Sequence, residues 1–235
     1  MAIDFESGSS QYVVMEDSAS LSTGDIDFAI AAWVNVETFD IGRIACKRNA
    51  DNVIEWELTN GAAGAFAFII YNSTGATLNS TAYGGSALSL GVWYHIVGWH
   101  DAAANTVNIC VNGGTVYSAA TTIAPSDSVA KFRIGARHTT PELFYDGLVE
   151  DVRFYKRVLT AEERSALAAG YRGPLGGEQG WWTLQDAQVV QHWDGDSLAT
   201  TDVIPDMSGN GNDGTPTNTP TARASEAPRF GAMLG

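Results

Sequence analysis

Glu55-Trp56-Glu57 is where the sequence comes nearest to a catalytic arrangement. On a β-strand, residues i and i+2 share a face and stand roughly 6.5–7 Å apart. That is close to the separation of the two carboxyl groups that divide acid and base work in glycoside hydrolysis. The flanking residues argue against that use. Ile54, Trp56 and Leu58 alternate as the core face of the strand, which turns Glu55 and Glu57 toward solvent. His95, His100, His138 and His192 show neither i, i+4 nor H-x-H spacing, and Cys46 and Cys110 stand in no metal or redox spacing. Each cysteine falls inside a predicted strand, so two buried free thiols are expected. The sequence has no nucleophile elbow, phosphate-binding loop, H-E-x-x-H or dinucleotide fingerprint. The chain is therefore read as a non-enzyme. Trp33, Trp93 and Trp99 offer a different chemistry, an exposed aromatic face on which sugar rings stack.

The elements that must carry these residues are short strands at regular spacing. Strands are predicted over residues 2–5, 11–15, 27–36, 43–47, 53–58, 65–71, 77–83, 92–100, 106–111, 115–120 and 131–136. Asn112-Gly113 is a strong hairpin signal. Residues 144–169 read as one more apolar-rich strand followed by the chain's single helix. The alternation slips by one residue between Val149 and Val152, as a β-bulge would make it. Thr160 and Glu163 form a capping-box pattern at the helix start, and Gly170 stops the helix. This predicts an all-β, two-sheet antiparallel jelly-roll sandwich with one short helix after the closing strand.

The chain has 235 residues, 45% of them hydrophobic, with 25 Gly and 7 Trp, enough for one large β domain plus a tail. A formal net charge of −14 excludes a basic footprint for nucleic acid or an anionic membrane. No apolar run approaches the ~20 residues of a membrane span. The start, MAIDFES, has no signal-peptide pattern. The N-x-S/T matches at Asn72 and Asn79 carry little meaning in that context.

The stretches FAIAAWVNV, VWYHIVGWHDAAANTVNICVNG, FRIGAR and YDGLVEDVRFYKRVLTAEE, in that order, resemble the laminin-G-like domains of the concanavalin A-like lectin/glucanase superfamily. The resemblance covers about residues 2–170. It implies the sandwich fold firmly and function only loosely, since that fold hosts lectins, glycosidases, adhesion modules and virion parts. Glycosidases of the superfamily use a strand resembling E-x-D-x-x-E. Here Thr59-Asn60 follow Glu57 and the last carboxylate is missing. Glu150-Asp151 matches the family's acidic pair before V-R, where capping turn amides or pairing with Arg153 or Lys156 is expected. The resemblance also makes calcium the ion to consider. Asp194, Asp196, Asp206, Asn210, Asn212 and Asp213 offer oxygen ligands in glycine-rich turns.

The tail departs from the family order. Residues 171–235 contain Trp181-Trp182 and the run DMSGNGNDGT, which usually stands at the front of such a domain. Two readings are open: the tail folds back to complete its own sandwich, or it lies across a neighbouring subunit as an extended C-terminal arm. Trp181, Trp182, Pro216, Pro220, Pro228 and Phe230 are the expected docking residues. The domain division is then a sandwich over 1–170 and an arm or partial repeat over 171–235. The functional expectation is a non-catalytic structural or adhesive protein on a larger assembly, specifically a tailed-phage virion surface as capsid decoration or fibre-type protein. Its partners would be other copies of itself or a particle protein. The alternative is a carbohydrate-binding lectin module on surface glycans, extracellular by a signal-independent route. A glycoside hydrolase stands third.

Overall fold

The computed structural model describes residues 1–48, 53–61, 64–72, 78–84, 88–121, 124–137, 143–184 and 195–229; His138, His192, Asp194 and Phe230 lie outside them. In chain order the strands are β1 (Ala2–Phe5), β2 (Tyr12–Met15), β3 (Phe28–Val36), β4 (Gly42–Arg48), β5 (Ile54–Gly61), β6 (Ala65–Tyr71) and β7 (Leu78–Gly84). They continue with β8 (Trp93–Asp101), β9 (Thr106–Val111), β10 (Val116–Ala120), β11 (Phe132–Ile134) and β12 (Gly147–Tyr155). Helix α1 (Ala161–Ala168) follows, and then β13 (Glu178–Trp182), β14 (Thr215–Thr217) and β15 (Thr221–Arg223). Every predicted strand is present.

The strands form two antiparallel sheets. Sheet A runs β10-β9-β8-β3-β12-β1-β15, with β13 also on β12; sheet B runs β14-β2-β11-β4-β5-β6-β7. Period-2 alternation gives each sheet one apolar face, and the two faces meet in a single core. Phe28, Trp56, Phe68, Phe132 and Phe154 are fully buried there, with the Trp56 and Phe154 rings stacked at 6.1 Å. The slip read at Val149/Val152 is real. The β12–β3 register shifts between Glu150 and Arg153, and Asp151 takes a left-handed φ of 54°. Both bonds of the Thr160/Glu163 capping box form. Helix α1 buries Leu167 against the outer face of sheet A, in a second cluster with Val97, Trp99 and Tyr155. Cys46 and Cys110 are buried free thiols, and burial pushes the Cys46 thiol up to about 12.

The segment read as an arm supplies strands to both sheets of its own chain. Val152 faces Trp182, Val13 faces Pro216, and Ile3 faces Ala222. Trp182 packs its ring 4.7 Å from that of Phe132 in the core, and its indole N–H donates to the Asn212 carbonyl at 2.7 Å. Pro216 and Pro220 are also buried, whereas Trp181 is half-buried and Pro228 exposed. Of the two readings of the tail, the structure takes the first. A front-of-domain segment placed at the end of the chain reaches its positions in the sandwich by folding back.

Candidate functional site

Glu55 and Glu57 do not face solvent; both are fully buried. Residues from distant segments enclose them. Glu57 accepts from Arg43 Nε at 2.9 Å, Arg137 Nε at 3.0 Å and the Tyr71 hydroxyl at 3.0 Å, with Arg48 Nη1 at 3.5 Å. Glu55 lies where the β4–β5 register shifts. It binds Lys47 Nζ at 2.7 Å, the Thr23 hydroxyl at 2.5 Å, and the Ser128 amide and hydroxyl at 2.9 and 2.8 Å. Burial raises the Glu55 carboxyl above its ordinary range, and Lys47 opposes that shift. The two carboxylates are held in separate cages, each engaged by fixed donors. A general acid and its partner need an open face toward substrate.

The aromatic face expected on sheet A is covered. Trp33 is 2% exposed, with the Arg172 guanidinium 5.1 Å above its ring and His95 beside it at 5.2 Å. Trp99 is 5% exposed under Arg164 of α1, at 4.5 Å. Trp93 is half-buried. Cation–π cover of this kind anchors a helix and a tail rather than presenting a platform.

Burial, with Arg172 and Arg153 nearby, drives His95 down to about 3 from 6.5. Between those values the unfolded chain binds one proton more than the folded one, so this group lowers stability as pH falls below 6.5. The slope is at most about 1.4 kcal/mol per pH unit. Urea midpoints measured between pH 7 and 4 should fall less steeply for His95→Asn than for the wild type. Parallel slopes would refute a neutral buried His95.

The turn-rich oxygens of the tail are also engaged. Asp206 accepts the amides of Trp181 and Ser208 at 2.9 Å and that of Asn212 at 3.0 Å, while Asp213 accepts the Asp206 amide at 2.9 Å. The Asn212 side chain donates to Gln179 O at 2.8 Å and Ser20 Oγ at 2.9 Å, and Asn210 reaches Gln179 O at 3.3 Å. DMSGNGNDGT is thus a hydrogen-bonded knot that fastens the tail. Asp196 stands apart, in the segment that bonds to Ala222. Of the acidic pair, Asp151 binds Arg153 through two bonds of 3.0 Å as expected, whereas Glu150 meets the Met1 amino group at 3.4 Å and accepts from Ser225 and Arg229 of the tail.

Among the described residues, one open feature is a cleft of about 370 Å³ on the outer face of sheet B. Its centre is one register row across four strands: Arg43 faces Thr59, Thr59 faces Ala67, and Ala67 faces Tyr83. Neighbouring strands lie about 4.8 Å apart, so the row spans roughly 14 Å. At one end Glu57 and Thr59 fix the Arg43 guanidinium, through Nε at 2.9 Å and Nη1 at 3.1 Å. At the other end Tyr83 is 62% exposed. Ala65 and Ala67 leave a low floor between them, and Ile41 forms part of the rim. The arrangement places a mostly buried guanidinium and threonine at one end and an exposed aromatic ring at the other. Such a pairing suits a ligand with polar edges and an apolar face. The sequence carried one signal of it. In AFAFIIY the large Phe66 and Phe68 alternate with small outward residues, leaving room above the sheet.

A family model described as the concanavalin A-like lectin/glucanases superfamily matches residues 7–163. No curated protein matches the sequence. Among solved structures, a candidate carbohydrate-binding protein of Bacteroides ovatus ATCC 8483 aligns over 97% of this chain with TM-score 0.63 and 18% identity. This chain spans 61% of that protein's length. The CBM40 of the Ruminococcus gnavus IT-sialidase, bound to α2,3-sialyllactose, aligns over 61% of this chain and 83% of its own, with TM-score 0.52 and 14% identity. The binding domain of Paraclostridial Mosquitocidal Protein 1 aligns over 71% of this chain and 45% of its own, with TM-score 0.55 and 11% identity. At these identities the likeness is one of fold.

Proposed function

This chain belongs to the concanavalin A-like lectin/glucanases superfamily, and from that premise we propose that it is a non-catalytic carbohydrate-binding module whose cleft on sheet B holds the saccharide. The observation that carries the reading is the row from Arg43 to Tyr83. It sets the mostly buried Arg43 and Thr59 side chains at one end of a shallow floor and an exposed phenol ring at the other. Pyranose rings match that combination, with hydroxyls at the edge and C–H groups on the face. A volume of about 370 Å³ falls within the range of small-molecule sites, about 300–1,000 Å³. The enclosure of Glu55 and Glu57 supports binding without turnover, and the carbohydrate-binding neighbours support the ligand class. The virion-surface expectation drew on a tail available for docking, along with the acidic composition, the missing signal-peptide pattern and the absent catalytic motifs. With β13, β14 and β15 paired inside the chain's own sheets, the docking ground is removed.

A glycan array probed with the wild-type protein identifies the saccharide, and titration calorimetry then measures it against Tyr83→Ala. The expected loss is at least tenfold in affinity, about 1.4 kcal/mol. Stability should be unchanged, because the ring is mostly in solvent. An array without signal, or a Tyr83→Ala protein that binds as tightly as wild type, would refute the assignment.

A further inference from the structure

An asparagine followed by glycine is open to attack by its own backbone, because glycine has no side chain to keep its amide nitrogen from the preceding carboxamide. The chain has three such pairs, Asn60-Gly61, Asn112-Gly113 and Asn210-Gly211. Two of them are held. Asn60 is 2% exposed; its Oδ1 accepts the Gly42 amide at 2.9 Å and its Nδ2 donates to the Asp40 carbonyl at 2.8 Å. Asn112 Oδ1 accepts the His95 amide at 2.8 Å, while the Asn112 amide donates to the His95 carbonyl at 2.7 Å. Gly113 is crowded by α1, where a Cβ would meet Ala168 and Ser165 at 3.3 and 3.4 Å.

The third pair lies in the knot that fastens the tail, and it is held differently. Asn210 and Gly211 are both exposed. The Asn210 side chain engages through Nδ2, at 3.1 Å to Ser208 Oγ and at 3.3 and 3.4 Å to the Gln179 and Glu178 carbonyls. Gly211 has φ 73°, and beyond its chain neighbours no described atom lies within 4 Å of where a Cβ would stand.

We propose that Asn210 is a self-modification site, converted to aspartate and isoaspartate through a succinimide, and that the conversion loosens the tail. Hydroxide takes the Gly211 amide proton, and the nitrogen attacks Asn210 Cγ. The Cγ–Nδ2 bond breaks, and ammonia leaves with a proton from water. Water then opens the ring at either carbonyl. Both products set an acceptor-only carboxylate against the carbonyls of Glu178 and Gln179, to which Nδ2 had donated. Isoaspartate also lengthens the main chain by one carbon, two residues before Asn212, whose carbonyl holds the Trp182 indole at 2.7 Å.

The test is incubation of the full-length protein at 37 °C across pH 7 to 9, with peptide mass spectrometry, isoaspartate-specific methyl transfer and thermal melts. Conversion at Asn210 should run at least tenfold faster than at Asn60 or Asn112 and rise with pH. The melting midpoint should fall in step with it. Asn210→Gln, which would have to close a larger ring, should keep its midpoint over the same period. Equal conversion at the three pairs, or none at Asn210, would overturn the proposal. Conversion with an unchanged midpoint, or an Asn210→Gln protein that ages as wild type does, would overturn the link to the tail.

Discussion

A chain ended at Gly170 is expected to lose cooperative folding altogether. The segment beyond it contributes Trp182, Leu184, Leu198, Ile204 and Ala222 to the main core and three strands to the two sheets. Emptying the Trp182 site alone should cost about 3–5 kcal/mol, as large aromatic deletions from packed cores do. Domains of this kind are stable by only about 5–15 kcal/mol. Removing the strands as well exposes Phe132 and Ile134 and unpairs β1 and β2 along one side. Urea denaturation followed by circular dichroism should show no sigmoidal transition for residues 1–170, and Trp182→Ala in the full chain should shift the midpoint markedly downward. A truncated chain with a wild-type transition would return the tail to the status of a dispensable arm.

Replacing Glu57 with alanine is the second large effect. It leaves Arg43, Arg48 and Arg137 gathered around a vacated anion on the outer face of sheet B. Breaking a buried ion pair by removing one partner costs about 3–5 kcal/mol, because it leaves buried charge uncompensated. The same change at a catalytic acid would abolish turnover and leave stability nearly unaltered, since active-site carboxylates are commonly held at a cost to the fold. The measurement is therefore two-sided: a urea midpoint and a hydrolysis assay on the saccharide selected by the array. The expected result is a large fall in the midpoint with no hydrolysis by either protein. A stable Glu57→Ala protein, or wild-type hydrolysis lost in that variant, would mean that the strand carries catalysis after all.

How far the sequence disclosed this molecule depended on the range of each interaction. Strand positions, the slip between Val149 and Val152 and the Thr160/Glu163 cap are local, and each stands where the alternation and the capping pattern put it. The environments of Glu55, Glu57, Trp33 and Trp99 are not local. Period-2 alternation assigns them to the outer faces correctly, but it equates an outer face with solvent. Arg137 and Ser128 on sheet B, and Arg164 and Arg172 on sheet A, come from residues far along the chain to cover them. The tail strands β14 and β15, three residues each, are too short to show a period. Their place is fixed by pairing with β2 and β1. The cleft was legible only as small residues at outward positions of β6, a signal that shows room above a sheet without saying what fills it.

Saccharide binding in the sheet B cleft is tested most directly by a crystal structure of the full-length protein soaked with the saccharide that the array selects. A sugar ring should lie against Tyr83 over the Ala65/Ala67 floor, with hydroxyl groups bonded to Arg43 and Thr59. Density for the sugar on sheet A, against Trp93 or anywhere else outside the sheet B cleft, would contradict it.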